Sequence, residues 1–249
     1  CEGMCQDMLG FYGAVASPEH LRAQFAQDPL PLARAFVLGK LRTARAMLER
    51  LGLPGLEAVE EALAQAQTAS HLDALRGAEG FGSRAYFGGL SQLLRPWGFQ
   101  GRSRRPPKDL VNAALSYGYA LLLGRALLAV RLAGLHPEVG FLHAEGRRNP
   151  ALALDLMEEF RIPVVDQVVI TALRRGQLKP EHGEPRNGGV YLTEEGKRAL
   201  IPLLEERFHQ EATHPLRFRK TYAELLDTQA ARLKAAIVKR EPYTPYYLK

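Results

Sequence analysis

The spacing of apolar residues is the feature of this sequence that most restricts its fold. Between Leu32 and Leu51, apolar side chains recur at Val37, Leu41 and Leu48, and arginine and lysine fall between them. Steps of three and four residues place such side chains on one face of an α-helix. Because the same periodicity continues over most of the chain, we predict a mainly α, multi-helix fold.

The same pattern predicts five further helical segments: Leu56–Ala69, Ser70–Leu94, Lys108–Leu135, a segment from about Ala151 that Pro163 interrupts, and Leu216–Arg240. The segment Ser70–Leu94 contains five glycines, and each costs about 1 kcal/mol in a helix interior. We therefore expect tertiary packing to hold this helix, with something approaching it closely. The only local strand signal is Val190–Thr193, and Thr193 also suits the N-cap of the next helix.

Length and composition exclude several classes of protein. The 249 residues suffice for a buried core. A hydrophobic content of 46% and a charged content of 24% argue against wholesale disorder and against a coiled coil. No apolar run reaches the roughly 20 residues that span a bilayer, since Ala120–Leu135 is broken by Gly124, Arg125 and Arg131. We predict that the chain is not a membrane protein.

Charge and cysteine content indicate partners and compartment. Lysine and arginine number 33 against 27 acids, which leaves a net charge of +6. This balance favours an anionic partner such as nucleic acid, although it could equally serve solubility. Cys1 and Cys5 cannot build a disulfide framework and form no C-x-x-C pair, so we expect a reducing compartment and a cytoplasmic location.

One histidine is placed for chemistry. His143 follows an apolar Gly-Phe-Leu approach and precedes a polar loop, and Asp155 and Glu158 follow at a spacing that puts both carboxylates on one helix face. Imidazole and carboxylate together suit Mn²⁺ or Mg²⁺. The alternative is that the acids only complement a helix N-terminus. The other histidines have polar neighbours and are predicted to lie on the surface: His20, His71, His136, His182, His209 and His214.

A third carboxylate, Glu79, lies among small and apolar residues in Gly77–Gly82. Acids are seldom buried without a partner, so Glu79 either faces solvent or has a cation. The alternative to a ligand role is an exposed glutamate on a poorly formed helix.

Several segments, in order along the chain, carry a family resemblance. They are Pro106–Leu122 (P-P-K-D-L-V-N-A-A-L-S-Y-G-Y-A-L-L), Gly134–Pro137 (G-L-H-P), Gly140–His143 (G-F-L-H) and Asp155–Arg161 (D-L-M-E-E-F-R). Together they strongly resemble the CRISPR-associated adaptation integrases, metal-dependent endonucleases that insert new spacers into CRISPR arrays. The resemblance runs from about Phe36 to the C-terminal helix.

The resemblance implies a metal site and a reaction. The family's metal ligands fall on Glu79, His143 and Glu158, with Asp155 as a nearby acid needed for activity, and the expected ion is Mg²⁺ or Mn²⁺. These are the residues singled out above on chemical grounds. A DNA 3′-hydroxyl is expected to attack a phosphodiester without a covalent enzyme intermediate. With water as the nucleophile, the same site becomes a nuclease.

The resemblance also implies double-stranded and branched DNA as substrates and a small CRISPR-associated adaptation subunit as a partner. Candidate DNA contacts are Arg84, Tyr86, Arg102, Arg104, Arg105, Lys108, Arg147 and Arg148. A solvated charged loop is the alternative for each cation, and a core aromatic is the alternative for the tyrosine. Two other functions stay open. One is a non-catalytic nucleic-acid-binding scaffold of the same fold, and the other is a helical interaction module without DNA affinity.

The domain organisation departs from that of the family. Members carry an N-terminal β-rich domain that builds a homodimer, and a homodimer is expected of the full-length protein. Here residues 1–17 are interpreted as a remnant or linker from that domain, and residues 18–249 as the helical catalytic domain. Ala151 stands where the family usually has a serine, and Gly82 where an alanine is frequent, but neither change removes a ligand.

Overall fold

The computed structural model describes residues 17–143 and 149–249, and this part of the chain is mainly helical. Its α-helices are α1 (Pro18–Phe25), α2 (Pro29–Leu51), α3 (Leu56–Thr68), α4 (Leu72–Leu94), α5 (Leu110–Leu132), α6 (Ala151–Met157), α7 (Gln167–Arg174), α8 (Glu194–His209) and α9 (Tyr222–Lys239). Two short antiparallel hairpins complete it. The predicted mainly α fold is confirmed.

Side-chain caps fix where several helices begin. Asp28 accepts a hydrogen bond from the Leu30 backbone amide at 3.1 Å and starts α2. Thr193 accepts from the Gly196 amide at 3.1 Å and starts α8, which confirms the predicted cap. For α4, the cap is the ring of His71, which accepts a hydrogen bond from the Ala74 amide. Each cap satisfies an amide that the first helical turn leaves without a partner.

Helices α2, α3 and α4 pack tightly against one another, and two glycines of α4 make this possible. A Cβ atom at Gly82 would lie 2.4 Å from Leu41 Cδ2, and one at Gly89 would lie 2.3 Å from the Pro54 carbonyl oxygen. Any larger side chain would force these elements apart. The sequence predicted that another element approaches this glycine-rich helix closely, and Leu41 and Pro54 do so.

Helix α5 has the length and composition of a possible membrane span. In the structure it packs against α6, β2 and α9, and its buried side chains include Leu115 and Leu122. A central helix of a globular domain has the same apolar composition. This composition is therefore weak evidence for a membrane.

One hairpin precedes α8 in the chain and the other follows it. Strands β1 (Gly183–Arg186) and β2 (Gly189–Leu192) pair antiparallel, with Gly183 opposite Leu192, and confirm the predicted strand. Strands β3 (Glu211–Thr213) and β4 (Arg219–Thr221) form a second, unpredicted hairpin. Three-residue polar strands carry no apolar alternation for a sequence pattern to detect.

The second hairpin corrects two sequence predictions. Helix α9 begins at Tyr222 instead of Leu216, because the intervening residues form the hairpin. His214, predicted on the surface, is fully buried. Its ring contacts Gln229 Oε1 at 3.1 Å and accepts a hydrogen bond from the Leu216 amide. Burial lowers the pKa of His214 to about 4, so this ring is neutral.

Helix α6 ends at Met157, and a π-helical segment containing Pro163 (Arg161–Asp166) connects it to α7. This confirms the predicted interruption at Pro163. Pro163 lacks the amide proton that a regular helix requires. The irregular segment begins three residues after Glu158, and such segments often accompany functional sites.

Candidate active site

Asp155 on α6 organises the segment that carries His143. This carboxylate is fully buried. Its Oδ2 accepts hydrogen bonds from the amides of Phe141 and Leu142 at 2.6 and 3.0 Å. Its Oδ1 lies 2.9 Å from the amide nitrogen of His143 and 2.7 Å from the Nδ1 atom of that ring. Both oxygens are thus engaged, so Asp155 acts as a positioning residue for His143.

This contact determines which nitrogen of His143 is available. An ionised carboxylate can only accept hydrogen bonds, so the proton of a neutral ring sits on Nδ1. The lone pair of Nε2 is then free, and Nε2 lies 3.7 Å from Glu158 Oε1. Metal-binding histidines commonly show this arrangement, with a carboxylate holding the far ring nitrogen.

Glu79 and Glu158 meet at a lysine that sequence analysis did not single out. The Lys40 ammonium, from α2, contacts Glu79 Oε1 and lies 2.8 Å from Glu158 Oε2. Ser83 Oγ also donates to Glu79 Oε1 at 2.8 Å. The side chain of Lys40 is only 9% exposed. Of the two possibilities left open by the sequence, Glu79 therefore has a cation partner.

Lys40 had a detectable signal in the sequence. It lies three residues after Val37 and four before Ala44, inside the apolar stripe of α2. A charged residue in a stripe that faces the core needs a buried partner. In the sequence, all arginines and lysines of this helix were predicted to lie between the apolar positions, and so Lys40 was not identified as a buried residue.

A second cation contacts Glu158. Arg161 Nη2 lies 2.9 Å from Glu158 Oε1, and its guanidinium stacks over Tyr119 at 5.0 Å. Burial alone would raise the pKa of Glu158, but Arg161 and Lys40 outweigh burial and hold it at about 2. Burial also opposes ionisation of Glu79, yet Lys40 keeps its pKa below the ordinary value. Both glutamates are ionised at neutral pH.

The residues present fit a hard divalent cation. Two carboxylates and a free imidazole nitrogen are donors of the type that Mg²⁺ and Mn²⁺ accept. Across residues 17–143 and 149–249, however, no three His, Cys, Asp or Glu side chains are already gathered closely enough to hold an ion. The structure brings Glu79, His143 and Glu158 to one place but centres the glutamates on the Lys40 ammonium.

The predicted DNA contacts divide into groups. Arg84, Arg104, Arg105 and Lys108 are exposed. The Arg102 guanidinium forms hydrogen bonds within the protein: it donates to Asn112 Oδ1 at 2.8 Å and to Ser116 Oγ at 3.0 Å. Arg147 and Arg148 lie outside the described residues, as do residues 1–16 of the predicted remnant.

The prediction of a DNA contact at Tyr86 is wrong. This side chain is 2% exposed, and its hydroxyl donates to Asp166 Oδ2 at 3.0 Å. Burial raises the pKa of Asp166 to about 6, and Tyr119 donates to the same carboxyl group. Tyr86 faces the core because the close approach of α4 to its neighbours turns that face inward.

A basic cleft lies beside the Arg102–Lys108 loop. Its volume is about 700 Å³. Its lining includes four cations and two aromatic rings: Arg104, Arg105, Arg186, Lys197, Tyr117 and Tyr191. Arginine and aromatic side chains together suit phosphate contact and base stacking.

The C-terminal tail is a further feature without a prediction from sequence. The backbone amide of Tyr246 donates to Glu159 Oε2 at 2.6 Å, and the amide of Leu248 donates to Thr43 Oγ1 on α2 at 3.2 Å. The tail therefore packs on α2, which carries Lys40, and on Glu159, which is adjacent to Glu158 in the sequence.

The fold and the site define a helical protein in which two glutamates share one buried lysine and an oriented histidine lies beside one of them. A sequence model of the family described as CRISPR associated protein Cas1 matches residues 13–206. The chain is 66% identical to CRISPR-associated endonuclease Cas1 1 of Thermus thermophilus over 247 residues, covering 99% of this chain and 78% of that relative. The chain therefore belongs to the Cas1 family, and its prediction as an enzyme of this family is confirmed.

Solved structures share the fold. A casposase bound to integration product superposes with a TM-score of 0.83 at 21% identity, covering 93% of this chain and 68% of that one. A chain of a partial Cas6-RT-Cas1–Cas2 complex gives a TM-score of 0.80 at 26% identity, covering 94% of this chain and 75% of that one. The fold expected from the resemblance is confirmed.

Proposed function

We propose that this Cas1 protein is a metal-dependent DNA endonuclease and integrase that inserts new spacers into a CRISPR array. The observation that carries the proposal is the engagement of His143 Nδ1 by Asp155, which leaves Nε2 free beside Glu158. The name of the Thermus relative as an endonuclease supports it.

Glu79, His143 and Glu158 would hold Mg²⁺ or Mn²⁺. A bound ion of this kind lowers the pKa of a hydroxyl and offsets negative charge on a phosphate. The chain's own residues prepare the site. Asp155 fixes the imidazole, and Arg161 and Lys40 keep Glu158 ionised.

The proposed reaction is a transesterification. The oxygen of a DNA 3′-hydroxyl forms a bond to phosphorus in the repeat strand, and the bond from that phosphorus to its own 3′ oxygen breaks. The released strand ends in a 3′-hydroxyl after taking up a proton, and the attacking hydroxyl loses one. Water in place of the hydroxyl gives hydrolysis at the same centre.

DNA binding is assigned to the exposed cations Arg84, Arg104, Arg105 and Lys108, which would contact phosphates. Double-stranded and branched DNA are the proposed substrates, consistent with the integration product held by the casposase. The Cas1–Cas2 assembly of the solved relative supports a small adaptation subunit as partner. A homodimer remains part of the proposal for the full-length protein.

The test compares cleavage of branched DNA with Mn²⁺ by the parent chain and by His143→Ala. His209→Ala is the matched control, because His209 is exposed and its ring lies 2.8 Å from the Glu205 carbonyl oxygen of its own helix. We expect the parent and His209→Ala to cut and His143→Ala not to cut, with circular dichroism showing all three folded. Equal cutting by all three proteins would refute the site assignment.

A second candidate is the non-catalytic nucleic-acid-binding scaffold. The position of the Lys40 ammonium between Glu79 and Glu158 favours it, since these carboxylates are neutralised without an ion. A scaffold predicts salt-sensitive DNA binding that depends on neither Mn²⁺ nor His143. Absence of cutting by the parent, with intact DNA binding, would select this candidate.

A further inference from the structure

Lys40 is a buried cation whose only role in the function proposed above is to help keep Glu158 ionised. Its ammonium lies between Glu79 and Glu158, and burial by itself would lower its pKa. The two glutamates outweigh burial and keep the pKa raised, so the side chain is charged. Lysine is almost never buried in this way unless it is paired.

The lysine occupies one oxygen of each of the two proposed glutamate ligands. Glu79 Oε1 and Glu158 Oε2 both face the ammonium. The other oxygen of Glu158 lies near His143 Nε2 and contacts Arg161. An ion held by both glutamates would lie next to the ammonium, and two cations that share a pair of carboxylates at contact distance repel each other strongly.

The backbone beside Lys40 is held in place. A Cβ atom at Gly39 would lie 2.9 Å from Pro245 Cβ and 3.0 Å from the Tyr246 carbonyl oxygen, so the C-terminal tail packs directly on this turn of α2. The flexible side chain of Lys40, and not helix α2, is the part that can move.

We infer that Lys40 is a resident counter-cation that holds Glu79 and Glu158 together in the metal-free protein and is displaced when the divalent ion binds. This inference rests on the proposed metal site. Lys40 is then a positioning residue that sets metal affinity. It lowers affinity because its ion pairs must break before the ion is held.

The test is Mn²⁺ binding to the DNA-free protein by isothermal titration calorimetry. Lys40→Met removes the charge and keeps the length of the side chain, so we expect a dissociation constant lower by roughly tenfold, within the range of ordinary site-to-site coupling. Lys40→Arg keeps a cation and should bind like the parent. Lys179→Met, at a lysine whose side chain is 58% exposed, controls for the change in net charge.

Thermal unfolding supplies a second readout. In EDTA, Lys40→Met leaves two glutamates facing each other and should unfold at a lower temperature than the parent. Saturating Mn²⁺ should raise its unfolding temperature by more than it raises that of the parent. Lys40→Gln, which is neutral but still donates hydrogen bonds, repeats both measurements if the methionine variant fails to fold.

Two results separate this inference from the proposed function. Equal or weaker Mn²⁺ binding by the neutral variants, in a parent whose binding is lost in His143→Ala, would overturn the role of Lys40 alone. Mn²⁺ binding that is unchanged in His143→Ala would overturn the metal site and, with it, the inference.

Discussion

Replacement of Asp155 by asparagine tests how the site is built. The carboxylate accepts four hydrogen bonds from three consecutive residues, Phe141, Leu142 and His143. An amide has only one oxygen, and its NH₂ group cannot accept. The outcome depends on which of the two carboxylate positions the NH₂ group takes.

If the NH₂ group takes the Oδ2 position, the amides of Phe141 and Leu142 both lose their acceptor. A buried N–H without a partner costs about 1–3 kcal/mol, so this orientation costs about 2–6 kcal/mol. If it takes the Oδ1 position, only the His143 amide is orphaned. The His143 ring can then accept from the NH₂ group by moving its proton from Nδ1 to Nε2. We expect this second, cheaper orientation.

Asp155→Asn should therefore destabilise the protein by about 1–3 kcal/mol, which lowers the unfolding temperature by about 2–4 °C per kcal/mol in a chain of this size. It should also weaken Mn²⁺ binding by about 10–100-fold, as loss of a ligand's supporting contact does, because Nε2 now carries the proton. Differential scanning calorimetry and Mn²⁺ titration measure the two effects.

Asp73→Asn is the control, because the side chain of Asp73 is 86% exposed. It removes only an exposed ion pair with Arg76, so it should change the stability by less than about 1 kcal/mol and leave the Mn²⁺ affinity unchanged. An Asp155→Asn protein with the stability and the Mn²⁺ affinity of the parent would refute the role assigned to this carboxylate.

Three further predictions concern packing, pH and DNA. Gly89→Ala should destabilise by about 1–3 kcal/mol, because its Cβ would meet a backbone oxygen at 2.3 Å. Gly88→Ala, which meets nothing within 4 Å, should be neutral or stabilising in the same denaturant titration. Burial raises the pKa of Glu159 from 4.5 to about 7, so the folded state retains a proton that the unfolded chain releases. Glu159 should therefore make the free energy of unfolding fall as pH rises between these values, and Glu159→Gln should remove this contribution from the measured slope. Joint replacement of Arg104 and Arg105 by alanine should reduce the slope of log affinity for DNA against log salt by about 1 per lost phosphate contact.

The helices and the ligand types were accessible from the sequence, because periodicity and residue chemistry are local. Asp155 and Glu158 are three residues apart, so their proximity follows from helix geometry, whereas His143 lies outside the helix and 12 residues before Asp155. Glu79 joins them only through the packing of α4 against α2, which no spacing predicts. The position of Lys40 in the apolar stripe of α2 indicates a buried charge, but its partners could not be read from the sequence because they lie on two other elements.

Burial across distant segments was the least predictable property. Tyr86 shares a helix face with Glu79 in the sequence pattern, yet it points to Asp166, which lies 80 residues further along the chain. His214 has polar neighbours in sequence and an enclosed environment in space, because the unpredicted hairpin folds it against Gln229. Sequence neighbours do not report such contacts.

The measurement that tests the central claim most directly is an anomalous difference map from a crystal of the chain soaked in Mn²⁺. We predict a peak bounded by Glu79, His143 Nε2 and Glu158, with the Lys40 ammonium moved away from the two glutamates. No peak at this position under saturating Mn²⁺, with Lys40 still paired to both glutamates, would contradict the assignment of this site as the metal centre.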